Sequence, residues 1–356
     1  MPPEADAAAS ILRAVLDCVA THGYARVAPP LAEFEEELAG RLKSARSKDL
    51  LRFVDPVSQR TLALRPDITA QIGRIATTRM ASDARPLRLC YGGLVLKLKA
   101  TQLRPERELT QAGAELVGSD SVAAAIEVIG VAIEALMASG VRNVTLDLTL
   151  PDLVDALAAG PLPLAADRID SVKTALDAKD AGALSATDAF AYLPLIAAAG
   201  PVEMAIAQLR GLGLGETLEV RLTALEAIAA ALGDRVRVTL DPTERHGFEY
   251  QSWIGFSLFC EGLAGEAGRG GSYTIVHADG REEPAIGFSL YLDPLVDLGL
   301  MQAKARRIFI PLDAPAGAAA TLRQEGWITV AAIGKGCDAT VLDCTHRLTD
   351  GVPDAL

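Results

Sequence analysis

From residue 86 to 117, and again from 253 to 290, strand-patterned segments follow one another with no helix-length spacer between them. Parallel neighbours need a crossover of a dozen or more residues, so strands this close in sequence pair antiparallel. The first stretch predicts two long strands joined by a polar turn around 102–106. The second predicts strands at 253–260, 272–277 and 285–290, after a shorter one at 236–240. Leu51-Arg52-Phe53-Val54 and Thr61-Leu62-Ala63-Leu64, separated by Asp55-Pro56, predict a further hairpin. Helices frame these strands. Ile11, Val15, Leu16 and Val19 share one face of a helix over 7–20, which Gly23 ends, and Pro29-Pro30 hold 24–30 extended. A second helix is expected over 32–42. A third starts at Pro66-Asp67 and carries Ile68, Ile72 and Ile75, and a fourth covers 121–139 before a strand at 143–148. Hairpins flanked by helices define an α+β protein with a largely antiparallel sheet. No strand-to-helix turn carries the G-x-G-x-x-G of a doubly wound fold.

Residues 151–232 differ in character: they are rich in alanine and leucine and punctuated by Pro151, Pro161, Pro163, Pro194 and Pro201. They read as a helical insertion in a core domain spanning 1–301. Residues 302–356 form a short tail with strand-helix-strand rhythm. A length of 356 residues fits one large domain with such an insertion, or two domains.

Half of the residues are hydrophobic, enough for a sizeable core. The formal net charge of -12 repels a phosphate backbone unless a basic stripe is segregated. The cluster Arg41, Lys43, Arg46 and Lys48 is broken by serines and followed by Asp49, so it reads as a solvated helix end, and nucleic acid is not an expected partner. Five scattered cysteines without a C-x-x-C pair suit a reducing compartment. There is no secretory leader pattern and no apolar run of the ~18 residues that would suggest a membrane span, so a cytoplasmic protein with no membrane partner is expected.

Generic catalytic signatures fail. His22, His246, His277 and His346 lack metal spacing, and Cys337, Cys344 and His346 are not spaced as a zinc module. Gly255-Phe256-Ser257 lacks the second glycine of a nucleophile elbow. The run from Gly262 to Gly271 lacks the Lys-Ser/Thr of a P-loop and reads as a hairpin loop.

The informative features are ordered along the chain. Gly23-Tyr24 leading to Pro29-Pro30 resembles the dimerisation motif of class II aminoacyl-tRNA synthetases. Leu64-Arg65-Pro66-Asp67-Ile68-Thr69 resembles the Leu-Arg-Pro-Glu-x-Thr segment of histidyl-tRNA synthetase. Residues 91–118 resemble its second motif, ending in Gln111-Ala112-Gly113-Ala114-Glu115. Gly270-Gly271-Ser272-Tyr273 is similar to its Gly-Gly-Arg-Tyr, and Pro284-Ala285-Ile286-Gly287-Phe288 to the opening of its third motif. The resemblance covers about 8–300. It implies a class II synthetase-like antiparallel sheet flanked by helices.

The departures fall on the nucleotide side. Activating an amino acid with ATP requires negative charge to be clamped at several points, and arginine does so bidentately. Lys97 stands where the family's second-motif arginine is, and Lys99 where its glutamate is. In the stretch from His246 to Gln251, His246 takes the place of a catalytic arginine, with Arg245 beside it. Pro294 takes the place of the third-motif arginine. Losing one preorganised donor costs about 2.7–4 kcal/mol, so these changes together remove ~10⁴-fold or more of rate. The resemblance places the amino-acid pocket at Asp67, Thr69, Gln111, Glu115, Tyr250 and Tyr273, which suit the amine and ring nitrogens of histidine. Asp67 is one methylene shorter than the family's glutamate, and Gln251 replaces a tyrosine.

About fifty residues after Met301 are too few for the family's anticodon-binding domain. Synthetase-like chains with broken ATP motifs and no such domain resemble the regulatory subunits that accompany the short form of ATP phosphoribosyltransferase in histidine biosynthesis. This implies a non-catalytic chain that needs no cofactor and forms a homodimeric core. That core assembles with the short-form catalytic subunit into a hetero-oligomer, a hetero-octamer being one arrangement. It further implies activation of catalysis and feedback inhibition with histidine as effector. The competing reading is a divergent adenylate-forming ligase that would recruit Lys97, Lys99, Arg104 or Arg107 as new cations.

Overall fold

The computed structural model describes residues 3–38, 50–98, 106–187, 189–245, 251–301 and 306–356. The chain divides into two compact units, Met1–Met301 and Gln302–Leu356.

In the first unit α1 (Glu4–Thr21) leads to β1 (Ala25–Arg26), β2 (Ala32–Phe34) and α2 (Glu35–Leu38). The hairpin β3 (Leu51–Val54) and β4 (Thr61–Leu64) follows, then α3 (Thr69–Thr77). The long strands β5 (Leu87–Leu96) and β6 (Glu108–Val117) precede α4 (Val122–Ala138) and β7 (Thr145–Thr149). Six helices then follow, from α5 (Leu153–Ala158), α6 (Ala166–Asp177), α7 (Ala181–Ala186) and α8 (Leu193–Ala197) to α9 (Val202–Gly211) and α10 (Glu216–Leu232). The two-residue β8 (Gly200–Pro201) lies among them, and β9 (Arg237–Leu240) returns the chain to the sheet. The strands β10 (Gln251–Phe259), β11 (Gly268–Val276) and β12 (Glu282–Tyr291) end on the short α11 (Asp293–Asp297).

Among the described residues nine strands form one sheet in the order β1-β5-β6-β12-β11-β10-β7-β9-β8. Pairing is antiparallel except at β1–β5 and β7–β9. The parallel β7–β9 pair is possible because the six helices supply the crossover. The fold is therefore α+β, with the antiparallel core that the closely spaced strands predict.

The two faces of the sheet differ. Ile11, Val15 and Val19 of α1 and Val128, Ile129 and Ala132 of α4 bury their stripes against Ala112, Ala114 and Leu116 of β6 and Ile286 and Phe288 of β12. The intervening positions point to the other face. There Ile68 and Ile72 meet Leu89, Tyr91, Val117 and Tyr273. Side chains alternate along a strand, so a run such as Gln111-Ala112-Gly113-Ala114-Glu115 sends its alanines to the α1/α4 core and its polar residues and glycine toward α3.

Two expectations need correction. Residues 32–34 are not helical: Ala32, Glu33 and Phe34 pair with Leu64, Ala63 and Leu62 in a three-stranded sheet ordered β2-β4-β3. The extended entry from Pro29-Pro30 and an open edge on β4 outweigh a local helical preference, and helix starts only at Glu35. Residues 39–42 of the expected helix, the basic cluster at 41–48 and the turn at 102–105 lie outside the described residues. The glycine run is only partly a loop, since Gly268, Gly270 and Gly271 belong to β11. A Cβ on Gly270 would lie 2.3 Å from the carbonyl oxygen of Gly287, so close strand packing rather than a turn requires glycine there.

The second unit has β13 (Arg307–Ile310), α12 (Ala318–Gln324), β14 (Ile328–Ala331), β15 (His346–Thr349) and β16 (Val352–Ala355). Its sheet runs β14-β13-β15-β16, parallel except for the last pair. Ile308, Ile310, Leu322, Trp327 and Leu348 form its core.

Gly287 is the tightest point of the large sheet: a Cβ there would lie 1.6 Å from Oε2 of Glu115 and 2.7 Å from the carbonyl oxygen of Ala114. Gly287→Ala is expected to cost about 1–3 kcal/mol or more, because neither neighbour can withdraw. Urea denaturation of the variant beside the parent measures it; equal midpoints would contradict this packing.

Candidate functional site

Strand alternation brings one set of polar side chains together beneath α3. Gln111 and Glu115 come from β6, Tyr91 from β5, Ser289 from β12 and Tyr273 from β11. Gly113 lies between Tyr91 and Ser289 in register, and Gly287 lies opposite Glu115. The glycines leave the volume that the carboxyl and phenol groups fill: a Cβ on Gly113 would sit 2.6 Å from the Tyr91 hydroxyl. Asp67 and Thr69 arrive from the turn that starts α3.

Hydrogen bonds fix the orientation of each group. The Gln111 amide oxygen accepts from the backbone N–H of Ile68 at 3.2 Å, so its nitrogen must face the other way. That nitrogen donates to Oδ2 of Asp67 at 2.8 Å and to Oγ of Ser289 at 2.6 Å. Having accepted from Gln111, the Ser289 hydroxyl can turn its own proton toward the Tyr91 oxygen 3.0 Å away. Tyr91 donates to Oε1 of Glu115 at 3.1 Å, and Tyr273 donates to Oε2 at 2.8 Å. Asp67 caps the turn by accepting from the Thr69 N–H at 2.7 Å, and the Thr69 hydroxyl lies 3.3 Å from that of Tyr91. The result is a directed chain of donors that ends on one carboxyl group.

That carboxyl is buried, at 1% exposure, as are Gln111, Tyr91, Thr69, Tyr273 and Ser289. Burial pushes Glu115 up to about 8, helped by the Asp67 charge and opposed by hydrogen bonds from Tyr273, Thr69 and Tyr91. Burial likewise raises Tyr91, with the charge of Glu115 adding to it. The Tyr91 phenol therefore stays a neutral donor. A group that brings an N–H or a positive charge to Glu115 favours its ionised form, so the pocket is chemically suited to a nitrogen base.

The rim is cationic. Lys97 donates to the carbonyl oxygen of Pro66 at 2.9 Å, and burial lowers it while Asp67 pulls it back up. Arg269, ion-paired with Glu266, lies 5.9 Å from the Tyr291 ring, and the Lys97 ammonium lies 6.0 Å from the same ring. Below them Asp293 accepts from the Thr110 N–H at 2.6 Å and opens α11, where Pro294 offers no donor. Arg65, 5% exposed, ties this turn to the preceding segment through Pro29 and Leu94 carbonyls at 2.8 Å each.

Of the six pocket residues read from sequence, Asp67, Thr69, Gln111, Glu115 and Tyr273 converge. Tyr250 lies outside the described residues, with His246, Lys99 and Arg104. Arg107 is exposed, and its carbonyl pairs with the Lys97 N–H at 2.7 Å. Sequence reasoning passed over Tyr91 and Ser289. Both could have been found by counting twos from Gln111 and Glu115 and asking what a glycine at 113 makes room for. Among the described residues no group of three or more His, Cys, Asp or Glu side chains could hold a metal ion. No described helix is long and apolar enough to cross a membrane.

Residues 1–295 match the family model for histidyl-tRNA synthetase. The ATP phosphoribosyltransferase regulatory subunit of Paramagnetospirillum magneticum is 40% identical in an alignment of 363 positions that covers 99% of this chain and 94% of that protein. The chain belongs to this family of regulatory subunits. A regulatory subunit/histidyl-tRNA synthetase from Bacillus halodurans has the same fold, with a TM-score of 0.81 at 24% identity over 96% of this chain and 93% of that one. A chain from the ATP phosphoribosyl transferase complex of Thermotoga maritima superposes with a TM-score of 0.60 at 16% identity, over 79% of this chain and 96% of that one. The sheet carrying Glu115 is thus the class II synthetase sheet.

Replacing Glu115 by its uncharged isostere separates the cost of its charge from its shape. In the fold the carboxyl keeps its proton up to about pH 8, whereas in the unfolded chain it loses it near its ordinary value of 4.5. Stability therefore falls as pH rises through that window, and below it the contribution vanishes. Relative to the parent, Glu115→Gln is expected to be more thermostable at about pH 8.5 than at about pH 5. Thermal melts at the two pH values decide it; a difference independent of pH would mean that Glu115 is ionised throughout.

Proposed function

We propose that this chain is the non-catalytic, activating partner of the short-form catalytic subunit of ATP phosphoribosyltransferase, and that histidine bound at Glu115 carries feedback inhibition. The observation that carries this reading is the convergence of Asp67, Thr69, Gln111, Glu115 and Tyr273 in a chain whose nucleotide-clamping positions hold Lys97, His246 and Pro294. Amino-acid recognition is kept and the means of stabilising a pentacovalent phosphorus is not. Near-full-length relatives named as regulatory subunits support it.

On this reading 1–301 is a synthetase-like core with 151–232 inserted, and 302–356 is a small second unit. The core dimerises through the segment from Gly23 to Pro30 and joins catalytic subunits in a hetero-oligomer. A net charge of -12 opposes tRNA binding. Five free cysteines suit the cytoplasm, where the pathway operates. Histidine regulates only if it favours one conformation of the assembly, since equal affinity for both shifts nothing.

The test is reconstitution with a short-form catalytic subunit, followed by ATP phosphoribosylation assays with and without L-histidine. The chain is expected to raise the rate and histidine to lower it. Glu115→Ala, which deletes a buried charge-assisted contact, should raise the inhibitory histidine concentration by about tenfold or more. No activation would contradict the partner assignment. Inhibition unchanged in Glu115→Ala would place the effector elsewhere.

A further inference from the structure

Helix α6 ends at a position where glycine is the usual residue, yet the chain places a lysine there. The N–H of Asp180 donates to the Ala175 carbonyl at 2.8 Å and that of Lys179 to the Leu176 carbonyl at 3.0 Å, the pattern that closes a helix through a left-handed residue. Lys179 is that residue, with φ 55°, a conformation that costs free energy for any residue with a Cβ and none for glycine. Its side chain has a specific use. The ammonium donates to Oδ1 of Asp241 at 2.6 Å and to the Thr243 hydroxyl at 2.7 Å, both on the segment that follows β9. Asp177, the last residue of α6, adds an Oδ1 that accepts from the Arg245 N–H at 2.8 Å. The insertion thus grips residues 241–245 from one side. A cleft lined by Leu150, Val154, Lys173, Pro242 and Glu244 runs beside them, so polar contacts rather than tight packing hold this side.

From the other side the same segment meets the sheet. The Asp241 N–H donates to the Leu148 carbonyl at 2.9 Å, and the Thr149 hydroxyl donates to the Glu244 carbonyl at 2.7 Å. The Glu244 carboxyl, however, meets that of Asp147. Burial pushes Asp147 up to about 6, opposed by a hydrogen bond from Thr239 and helped by Glu244 and Asp241, so near neutral pH the two carboxyls repel. A joint that had only to be rigid would carry glycine at 179 and a neutral group facing Glu244. Two costs held in place by one cation mark a joint with a second arrangement. Thr149 also shares a cross-strand row with Glu115, through Gly255, Gly271 and Gly287, so the segment stands at the far end of the row that bears the buried carboxyl. We propose that Lys179 is a positioning residue, a latch by which the helical insertion holds residues 241–245 against the sheet, and that the subunit's response to histidine requires the latch closed. The second part rests on the reading that histidine binds at Glu115, and the first does not.

Hydrogen exchange of the bonded Asp241, Thr243 and Arg245 amides in the full chain tests the latch. Lys179→Gly and Lys179→Met both remove the ammonium, and in both these amides are expected to exchange about tenfold faster or more, with α4 and β6 unchanged. Only the glycine relieves the left-handed backbone, so Lys179→Gly should melt above Lys179→Met. Exchange at the parent rate in both variants, or protection lost throughout the core, overturns the latch. A glycine variant that melts no higher than the methionine one removes the strain on which the latch stands. In a complex reconstituted with a short-form catalytic subunit, both variants should activate as the parent does and need about fivefold more L-histidine for inhibition. Faster exchange with unchanged inhibition overturns the regulatory part. A parent complex that histidine does not inhibit overturns the histidine reading instead, and the exchange still decides the latch.

Discussion

A carboxyl group buried in the middle of a β-sheet dictates the composition of everything around it. Glu115 is buried away from water, so each of its oxygens must be met from within, and Tyr91 does this from the neighbouring β5 and Tyr273 from β11, one strand beyond β12. Its volume must be found too. The partner strand yields it at Gly287, where no side chain fits. Tyr91 in turn needs the space left by Gly113, and its hydroxyl is supplied by Ser289, which is supplied by Gln111. One costly group thus accounts for the identity of six others on four strands. A fold needing only a stable core would place leucine or valine there, so the burden argues for a ligand.

The two faces of the sheet differ in what they bury. The face toward α1 and α4 is apolar and continuous with the helices between β7 and β9, and it holds most of the buried surface of the first unit. The face toward α3 is half polar. Because side chains alternate, the same five residues from Gln111 to Glu115 serve both: alanines pack below and amide and carboxyl groups meet above. The α3 turn closes the polar face with Asp67 and Thr69, and Arg65 ties that turn to the Pro29-Pro30 segment. Arg65 thus joins the α3 turn to the segment that resembles a dimerisation motif.

Much of this was legible in sequence where local pattern and tertiary need agree. The stripe of Ile11, Val15 and Val19 predicts α1, Asp55-Pro56 marks the turn of the β3–β4 hairpin, and closely spaced strands predict antiparallel pairing. Residues 32–34 were not legible, because their partner lies thirty residues away and pairing with β4 overrides a helical composition. The glycines at 268–271 misled for a related reason. Their role is close approach between β11 and its neighbours, which a local reading takes for a loop. Asp67, Thr69, Gln111, Glu115 and Tyr273 were identifiable through family motifs, since no spacing rule joins residues over two hundred positions apart. Tyr91 and Ser289 carry no motif; only register reveals that they share a face with Glu115.

The two chemistries a synthetase combines are separable, and the proposed function is that this chain retains one half. Recognition needs matched donors and acceptors held rigidly, and the polar face holds Gln111, Tyr91, Tyr273 and Glu115 in one hydrogen-bonded set. Adenylation needs in addition a clamp for developing phosphate charge, and on the proposed reading Lys97 and Pro294 offer a single point charge in its place. Histidine-dependent exchange of pyrophosphate into ATP measures that second half directly. No exchange above background is expected at saturating ATP and histidine, with an intact histidyl-tRNA synthetase as positive control. Robust exchange by the purified chain would show that adenylate forms, and the account of a ligand-reading, non-catalytic subunit would be wrong.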